Sequence, residues 1–311
     1  MRDKIYPFAF LMAAGLLIYF GRGLLQASSI ETWGLTFAGT TAAGVLGMAL
    51  YRVLLELRAS RHELAMGQAE LNFALQVQRA LFPRVFPADR GLEFSGVCVP
   101  ARGISGDYYD VLQLSDGRLV FAIADISGKG ISAAILMSSI QAVLRTLAGA
   151  GRSPCEVCSQ LNLHLNEITD GGRFATIFYA EWNPSTRLLR YVNAGHNAPL
   201  LLDRGGVQRL EPCAPPLGLF PESEFQIGER VLQPGDVMAL YSDGLTEAGI
   251  DHDREFGESR LTDLVMAHTA KPLAEIQQRV LDSVHAWAGQ ELEDDLTLLL
   301  VRATGRLKEA V

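Results

Sequence analysis

The sequence predicts an α+β fold in which two antiparallel sheets pack face to face beneath outer helices, preceded by an apolar hairpin and a helical linker. Three observations carry that expectation. Short apolar runs bounded by turn residues recur between Leu92 and Val301, without the regular strand and helix alternation that a parallel sheet requires. They fall into two groups, each followed by a pair of segments with helical period. Ahead of them lie two long stretches almost free of charge.

Those first stretches raise the 311-residue chain to 49% hydrophobic. Ile5 to Phe20 is almost wholly apolar and Trp33 to Tyr51 holds no charge. Each is about long enough to cross ~30 Å of hydrocarbon at ~1.5 Å per residue. Gly39, Gly44 and Gly47 let the second span pack closely against another helix. No small-x-small cleavage site follows the first stretch, which favours a hairpin over a signal peptide. Arg2 and Lys4 precede the hairpin and Arg52, Arg58 and Arg61 follow it, against Arg22 alone near the connecting loop. By the positive-inside rule, residues 1–55 are expected to form a two-pass transmembrane hairpin in the lipid of the inner (cytoplasmic) membrane, with both ends, and so the domain that follows, in the cytoplasm.

From Arg52 to Leu81 the pattern is helical, and Leu50, Leu57, Leu64 and Leu71 recur every seven residues. Such a stripe marks a short coiled coil, so residues 56–82 are read as a helical linker that pairs two copies of the chain, with a simple spacer helix as the alternative; Ser60, Gly67 and Ala74 weaken the other stripe. Phe82-Pro83 and Phe86-Pro87 end the helix, because proline lacks an amide hydrogen and restricts its predecessor. The next domain is assigned to 83–304, with 305–311 as a tail. A net charge of -8 and the lack of any basic cluster with interleaved aromatics argue against a nucleic-acid partner. Four cysteines in a cytosolic domain are expected to be reduced. Cys155 and Cys158 have no second pair or nearby histidine, and read as two thiols on a helix.

Leu92 to Val99 is the first expected strand. Gly106 to Leu114 and Leu119 to Asp125 then flank Asp116-Gly117, a strong hairpin signal. A three-residue loop sets Asp107 across from Asp125 and a two-residue loop does not; the odd-length loop, or a compensating bulge, is expected. Apolar residues from Ile131 to Leu147 keep a helical period, and a second helix is expected over Cys155 to Thr169. Strands follow at Phe174 to Trp182, Leu188 to Asn193, Pro199 to Leu202 and Val207 to Leu210. Phe225 to Leu232 and Val237 to Ser242 are expected to pair with each other around Gln233-Pro234-Gly235-Asp236. Two helices, Leu261 to His268 and Leu273 to Trp287, precede the last strand, Leu296 to Val301.

The chemistry begins where the apolar runs stop. Leu119 to Ala124 breaks off at Asp125 and the turn Ser127-Gly128-Lys129-Gly130. A carboxylate ending a doubly buried strand needs compensation for its desolvation, and a cation is the usual answer. Val237 to Ser242 stops at Asp243-Gly244, and Asp294 and Asp295 precede the run from Leu296. Antiparallel neighbours bring the end of one strand beside the start of the next, so these acids, with Asp107, are expected at one edge of one sheet. Oxygen-only ligands select magnesium or manganese. Two such ions ~3.5 to 4 Å apart would share an acid and hold a water for in-line attack on phosphorus. Asp125 is the natural bridging ligand, with the carbonyl of Ile126 beside it. The turn from Gly128 to Gly130 leads into a helix whose amides can receive a phosphate. The six histidines are scattered, and His196 reads as a buried histidine near the site rather than a ligand.

GDYYD at 106–110, ADISGKG at 124–130, NAGHNAP at 193–199, LYSDGLTEA at 240–248 and EDDLTLLLV at 293–301, in that order, resemble the PPM (type 2C) metal-dependent protein serine/threonine phosphatases, in particular the bacterial RsbU/SpoIIE-like subgroup. The resemblance runs from about Leu75 to Val301. It implies an αββα sandwich with a dimanganese or dimagnesium centre, and hydrolysis of protein phosphoserine or phosphothreonine by metal-activated water. Carried over by position, Asp107, Asp125, Asp243 and Asp294 are the catalytic, metal-ligating aspartates, with the backbone of Ile126 as a further ligand and Asp295 as the alternative to Asp294. Arg102, Gly128, Lys129 and Gly130 are candidates for substrate phosphate. The subgroup implies a phosphorylated STAS (anti-anti-sigma) protein as substrate and a dimerising switch in the linker helix. Ser105 departs from the glycine often found there, and a membrane hairpin takes the place of a soluble sensor. Two other functions remain to be weighed: a catalytically silent scaffold, against which the full set of acids argues, and a hydrolase of small phosphoesters.

Overall fold

The computed structural model describes residues 15, 30–87, 90–101, 103–169, 171–249, 254–289 and 292–307. The chain divides into two compact units, residues 1–70 and 71–311. The first unit carries most of a continuous helix, α1 (Ile30–Leu81). Its Leu50, Leu57 and Leu64, on the heptad stripe, are exposed. The expected span Trp33 to Tyr51 falls on α1, whereas Ile5 to Phe20, apart from Gly15, lies outside the described residues. The helix stops at Leu81, directly before Phe82-Pro83, as the proline requires.

The second unit contains two five-stranded antiparallel sheets. With β1 (Arg90–Val99), β2 (Tyr108–Gln113), β3 (Leu119–Ile126), β4 (Ala175–Asn183), β5 (Leu188–Ala194), β6 (Leu200–Asp203), β7 (Gly206–Arg209), β8 (Gly228–Val231), β9 (Val237–Tyr241) and β10 (Leu296–Leu307), the orders are β1-β10-β9-β6-β7 and β2-β3-β4-β5-β8. The helices are α2 (Ile131–Gly149), α3 (Pro154–Ile168), a single turn α4 (Asp243–Thr246), α5 (Glu258–His268) and α6 (Leu273–Ala288). Three apolar layers result. Phe94, Phe121, Ile123, Phe178, Leu240 and Leu299 fill the space between the sheets. Ala122, Ile126 and Ile177 meet Met137 and Ile140 of α2 and Leu161 of α3. Ala239 and Leu298 meet Leu261 of α5 and Ile276 and Val280 of α6. Alternate residues of β3 enter different layers, which explains why its sequence is apolar without interruption. Among the described residues α2 is the helix long and apolar enough to cross a membrane, and it packs in this core.

The β2–β3 hairpin has the expected register. Tyr108 pairs with Ala124 and Gln113 with Leu119, and the Leu114 amide donates to the Arg118 carbonyl at 2.9 Å. Ser115, Asp116 and Gly117 remain as a three-residue loop, with Gly117 at φ 86°. The same register continued by one residue sets Asp107 opposite Asp125.

Two expectations need correction. Residues 233–236 do not close a hairpin: β8 pairs with β5 in one sheet, and β9 with β10 and β6 in the other. Buried throughout, β9 takes a partner on each side, whereas Glu229, Arg230 and Val231 of β8 are exposed and suit a sheet edge. The tight turn itself is present, with the Asp236 amide donating to the Gln233 carbonyl at 3.0 Å, but it joins the two sheets. The acids likewise do not share one sheet, because β3 and β9 belong to different ones. All four cysteines are free, and Cys155 and Cys158 lie on α3 as expected.

Candidate active site

Each acid is positioned by a strand terminus. Asp125 is the penultimate residue of β3, facing the position of Asp107 just before β2. Asp243 opens α4 directly after β9, and Asp294 and Asp295 precede β10. The Ser242 amide donates to the Thr297 carbonyl at 3.1 Å, and the Thr297 amide to Ser242 Oγ at 2.9 Å, so the β9–β10 ladder continues to the acids. Gly244 is required at this junction: a Cβ there would stand 2.9 Å from the Asp295 carbonyl carbon and closer still to its oxygen. At the other junction a Cβ on Gly106 would lie 3.1 Å from the Ile126 carbonyl oxygen, so glycine lets the chain before Asp107 approach that carbonyl.

The carboxyls share one electrostatic field although they come from two sheets. Burial pushes Asp107 well above the usual carboxylate range and the charge of Asp125 adds to this, with the hydroxyls of Thr297 and Ser242 opposing. Those hydroxyls favour the carboxylate without completing a bond, for Asp107 Oδ2 and Thr297 Oγ1 are both buried with no hydrogen-bond partner. Asp125 is pushed up to about 7, by burial first and then by Asp243 and Asp294. Asp243 is raised by burial and by Asp294, and lowered by Lys129.

The two adjacent aspartates differ in their contacts. Both oxygens of Asp295 accept backbone amides, from Ala101 and Gly106, each at 2.8 Å. Asp294 pairs through Oδ2 with Lys129 Nζ at 2.7 Å and accepts the Asp295 amide at Oδ1, and its side chain is 43% exposed. Lys129 also donates to the Glu293 carbonyl at 3.0 Å. Gly128 and Gly130 take left-handed φ values of 99° and 78°, and Gly130 precedes α2 without a capping side chain. Arg102 lies outside the described residues.

Three contributors escape a reading of the sequence. Gln78 of α1, 4% exposed, donates to the Ser105 carbonyl at 2.6 Å and accepts the Ser105 amide at 2.9 Å. Ser105 Oγ accepts the Asp107 amide at 3.0 Å, so the helix end and the first acid are joined. The departure of Ser105 from glycine was the available signal; a glutamine within a helical stripe gives none. Ser242 and Thr297 are the second and third. His196 is buried as expected, with Nδ1 2.8 Å from Thr176 Oγ1, and Thr176 pairs with Asp125. Burial lowers it to about 4, opposed by the Tyr241 backbone, so the ring is neutral at pH 7.

Among the described residues no three His, Cys, Asp or Glu side chains already enclose a metal position. The donor set nevertheless fits a hard divalent cation: it is all oxygen, Asp107, Asp125 and Asp243 are each raised by burial and by a neighbouring carboxylate, and one buried carboxylate oxygen has no partner. Positive charge placed among these groups would reverse each effect.

Residues 115–304 match the family profile of stage II sporulation protein E (SpoIIE). The chain is 30% identical over 258 residues to phosphoserine phosphatase RsbU of Bacillus subtilis (strain 168), covering 82% of this chain and 75% of that one. It superposes on the RsbU and RsbW domains of Rv1364c from Mycobacterium tuberculosis with a TM-score of 0.63 at 26% identity, over 73% of this chain and 63% of that one. RsbX in complex with magnesium is similar in fold alone, with a TM-score of 0.53 at 19% identity over 68% of this chain and 96% of that one.

Proposed function

Because the chain belongs to the SpoIIE family of PP2C-type serine/threonine phosphatases, a metal-dependent class, we propose that it is a membrane-anchored protein phosphatase whose substrate is the phosphoserine or phosphothreonine of a STAS-domain regulator. The observation that carries the site is the convergence of acids from two sheets on Asp125, which is half-buried at the end of β3 and is raised to about 7 by desolvation and by Asp243 and Asp294. Asp107, Asp125, Asp243 and Asp294 would hold magnesium or manganese, two ions by the family resemblance, with the Ile126 carbonyl beside them. Asp295, with both oxygens on amides, instead fixes the loop that carries Asp107. The similarity to RsbX supports the class of ion.

Bound divalent cations supply Lewis acidity that makes water nucleophilic near neutral pH for in-line attack on phosphorus. The residues of the chain do the rest. Asp107 and Asp125 face each other at the ends of β2 and β3, and Asp243 and Asp294 come to them from the other sheet. The turn Gly128 to Gly130 offers backbone amides to the phosphoryl oxygens. Neutral His196 supports Thr176 beneath Asp125 and carries no proton to the reaction. Exposed Ile131, Ile135 and Phe174 flank this turn, and an apolar rim suits a protein surface better than a free metabolite. Residues 1–55 would hold the enzyme at the inner membrane with its catalytic domain in the cytoplasm, and residues 56–82 would pair two copies as a switch.

With manganese and a phosphoserine peptide, the expected result is turnover that chelation abolishes and added manganese restores. Asp125→Asn is expected to lower kcat by about a hundredfold or more, the scale of removing one strong electrostatic contributor. Activity that survives both treatments overturns the proposal.

A further inference from the structure

We propose that Arg173 binds the phosphoryl oxygens of the substrate, a role that rests on the phosphatase reading above. The β3–β4 ladder pairs Asp125 with Thr176 and Ile126 with Ala175. Ser127 and Phe174 extend it: the Ser127 amide donates to the Phe174 carbonyl at 2.9 Å, and the Phe174 amide to Ser127 Oγ at 2.9 Å. The next pair in that register is Gly128 and Arg173. The guanidinium indeed lies over Gly128, with Nη1 3.0 Å and Cζ 3.9 Å from where a Cβ on that glycine would be. Gly128 therefore leaves room for the side chain as well as turning the backbone.

Arg173 is half-buried, yet it has no ion pair or side-chain hydrogen bond among the described residues. Other arginines of the domain do have partners: Arg118 holds Glu181, Arg145 holds Asp110, and Arg187 holds the carbonyls of Leu232 and Thr304. The neighbouring cation, Lys129, is engaged with Asp294. Gly218 approaches the backbone of Arg173 closely, since a Cβ there would stand 3.1 Å from the Arg173 carbonyl oxygen. The Gly128–Arg173 pair lies three residue steps beyond Asp125, about 10 Å at the rise of a strand. An arginine side chain and a phosphate group together fill such a gap. A planar guanidinium with five donors matches two phosphoryl oxygens at once, which a lysine does not. The acids would then meet the ester from one side and Arg173 from the other.

The test uses the full chain in detergent with manganese, a phosphoserine peptide as substrate and inorganic phosphate as product inhibitor. Arg173→Ala is expected to raise both KM and the phosphate inhibition constant by about tenfold or more, the scale of one charge-assisted contact, with a smaller change in kcat. Arg173→Lys should recover part of the loss. Manganese affinity by calorimetry and the melting temperature should not move, because Arg173 touches none of the acids. Unchanged KM and phosphate inhibition, or a matching loss of manganese affinity, overturns the assignment. Should the alanine variant not fold, Arg173→Gln and Arg173→Lys give the same comparison. A wild-type chain without turnover overturns the phosphatase reading instead, and calorimetric phosphate binding to the manganese-loaded wild type and variant still decides the role of Arg173.

Discussion

At Gly244 the backbone of α4 passes so close to the Asp295 carbonyl that any side chain must push the two acid-bearing turns apart. Gly244→Ala is therefore expected to cost about 1 to 3 kcal/mol of stability and to remove most of the phosphatase activity, measured by denaturant titration and by turnover with manganese. His196 tests burial instead. Its folded pKa of about 4 lies below the ordinary 6.5, so the unfolded chain binds the extra proton between those values. The stability it contributes is present above pH 6.5 and is lost as pH falls toward 4, in total on the order of 3 kcal/mol. Melting of the wild type minus melting of His196→Gln, followed from pH 7.5 to 4.5 with chelator present, should decline through that window; a flat difference refutes it. The candidate acids stand out in the sequence because each borders an apolar run, Asp125 and Asp243 after one and Asp107, Asp294 and Asp295 before one. Between Asp294 and Asp295 the sequence could not choose, since the distinction lies in which one meets the amides of Ala101 and Gly106, residues almost two hundred positions away. The placement of Arg173 is hidden for a related reason: only the β3–β4 register sets it across from Gly128.

The last turns of α1 are joined to the catalytic loop by hydrogen bonds between the buried amide of Gln78 and both backbone groups of Ser105. Gln78→Ala leaves that donor and acceptor unpaired, and an expected loss of about 2 kcal/mol or more follows from the usual penalty of ~1 to 3 kcal/mol for a buried unsatisfied group. Amide exchange at Asp107, whose N–H is held by Ser105 Oγ, should accelerate in the variant more than exchange in the middle of β3. Elements defined by local chemistry were readable: the Asp116-Gly117 loop fixed the β2–β3 register, and Phe82-Pro83 ended α1. Elements defined by partnership were not. Val237 to Tyr241 looks like half of a hairpin until one sees that it is buried on both faces and flanked by β6 and β10, and nothing local distinguishes the turn at 233–236 from a hairpin turn. The one-turn α4 follows the expected strand without a signature of its own, because four residues are too few for any periodic pattern.

A chain that carries its catalytic unit behind a long helix can be regulated at the level of the whole molecule only if that helix has something to respond to. Leu57 and Leu64 are 50% and 70% exposed on α1, on the same heptad stripe as Leu50 and Leu71. Exposed leucines in that spacing bury most apolar surface against a second copy of the same helix, each fitting into a hole formed by four facing residues. The full chain in detergent is therefore expected to sediment as a dimer. Leu57→Asp combined with Leu64→Asp puts two charges in each strand of the seam and should give monomers at the same concentration. The catalytic unit begins at Leu71 by its contacts, so the variant should keep its fold and its affinity for manganese, and any fall in turnover then measures what pairing contributes to the active site. Dimers that persist with both charges in place would show that the copies meet elsewhere, and a monomeric wild type would make α1 a spacer ahead of the phosphatase unit.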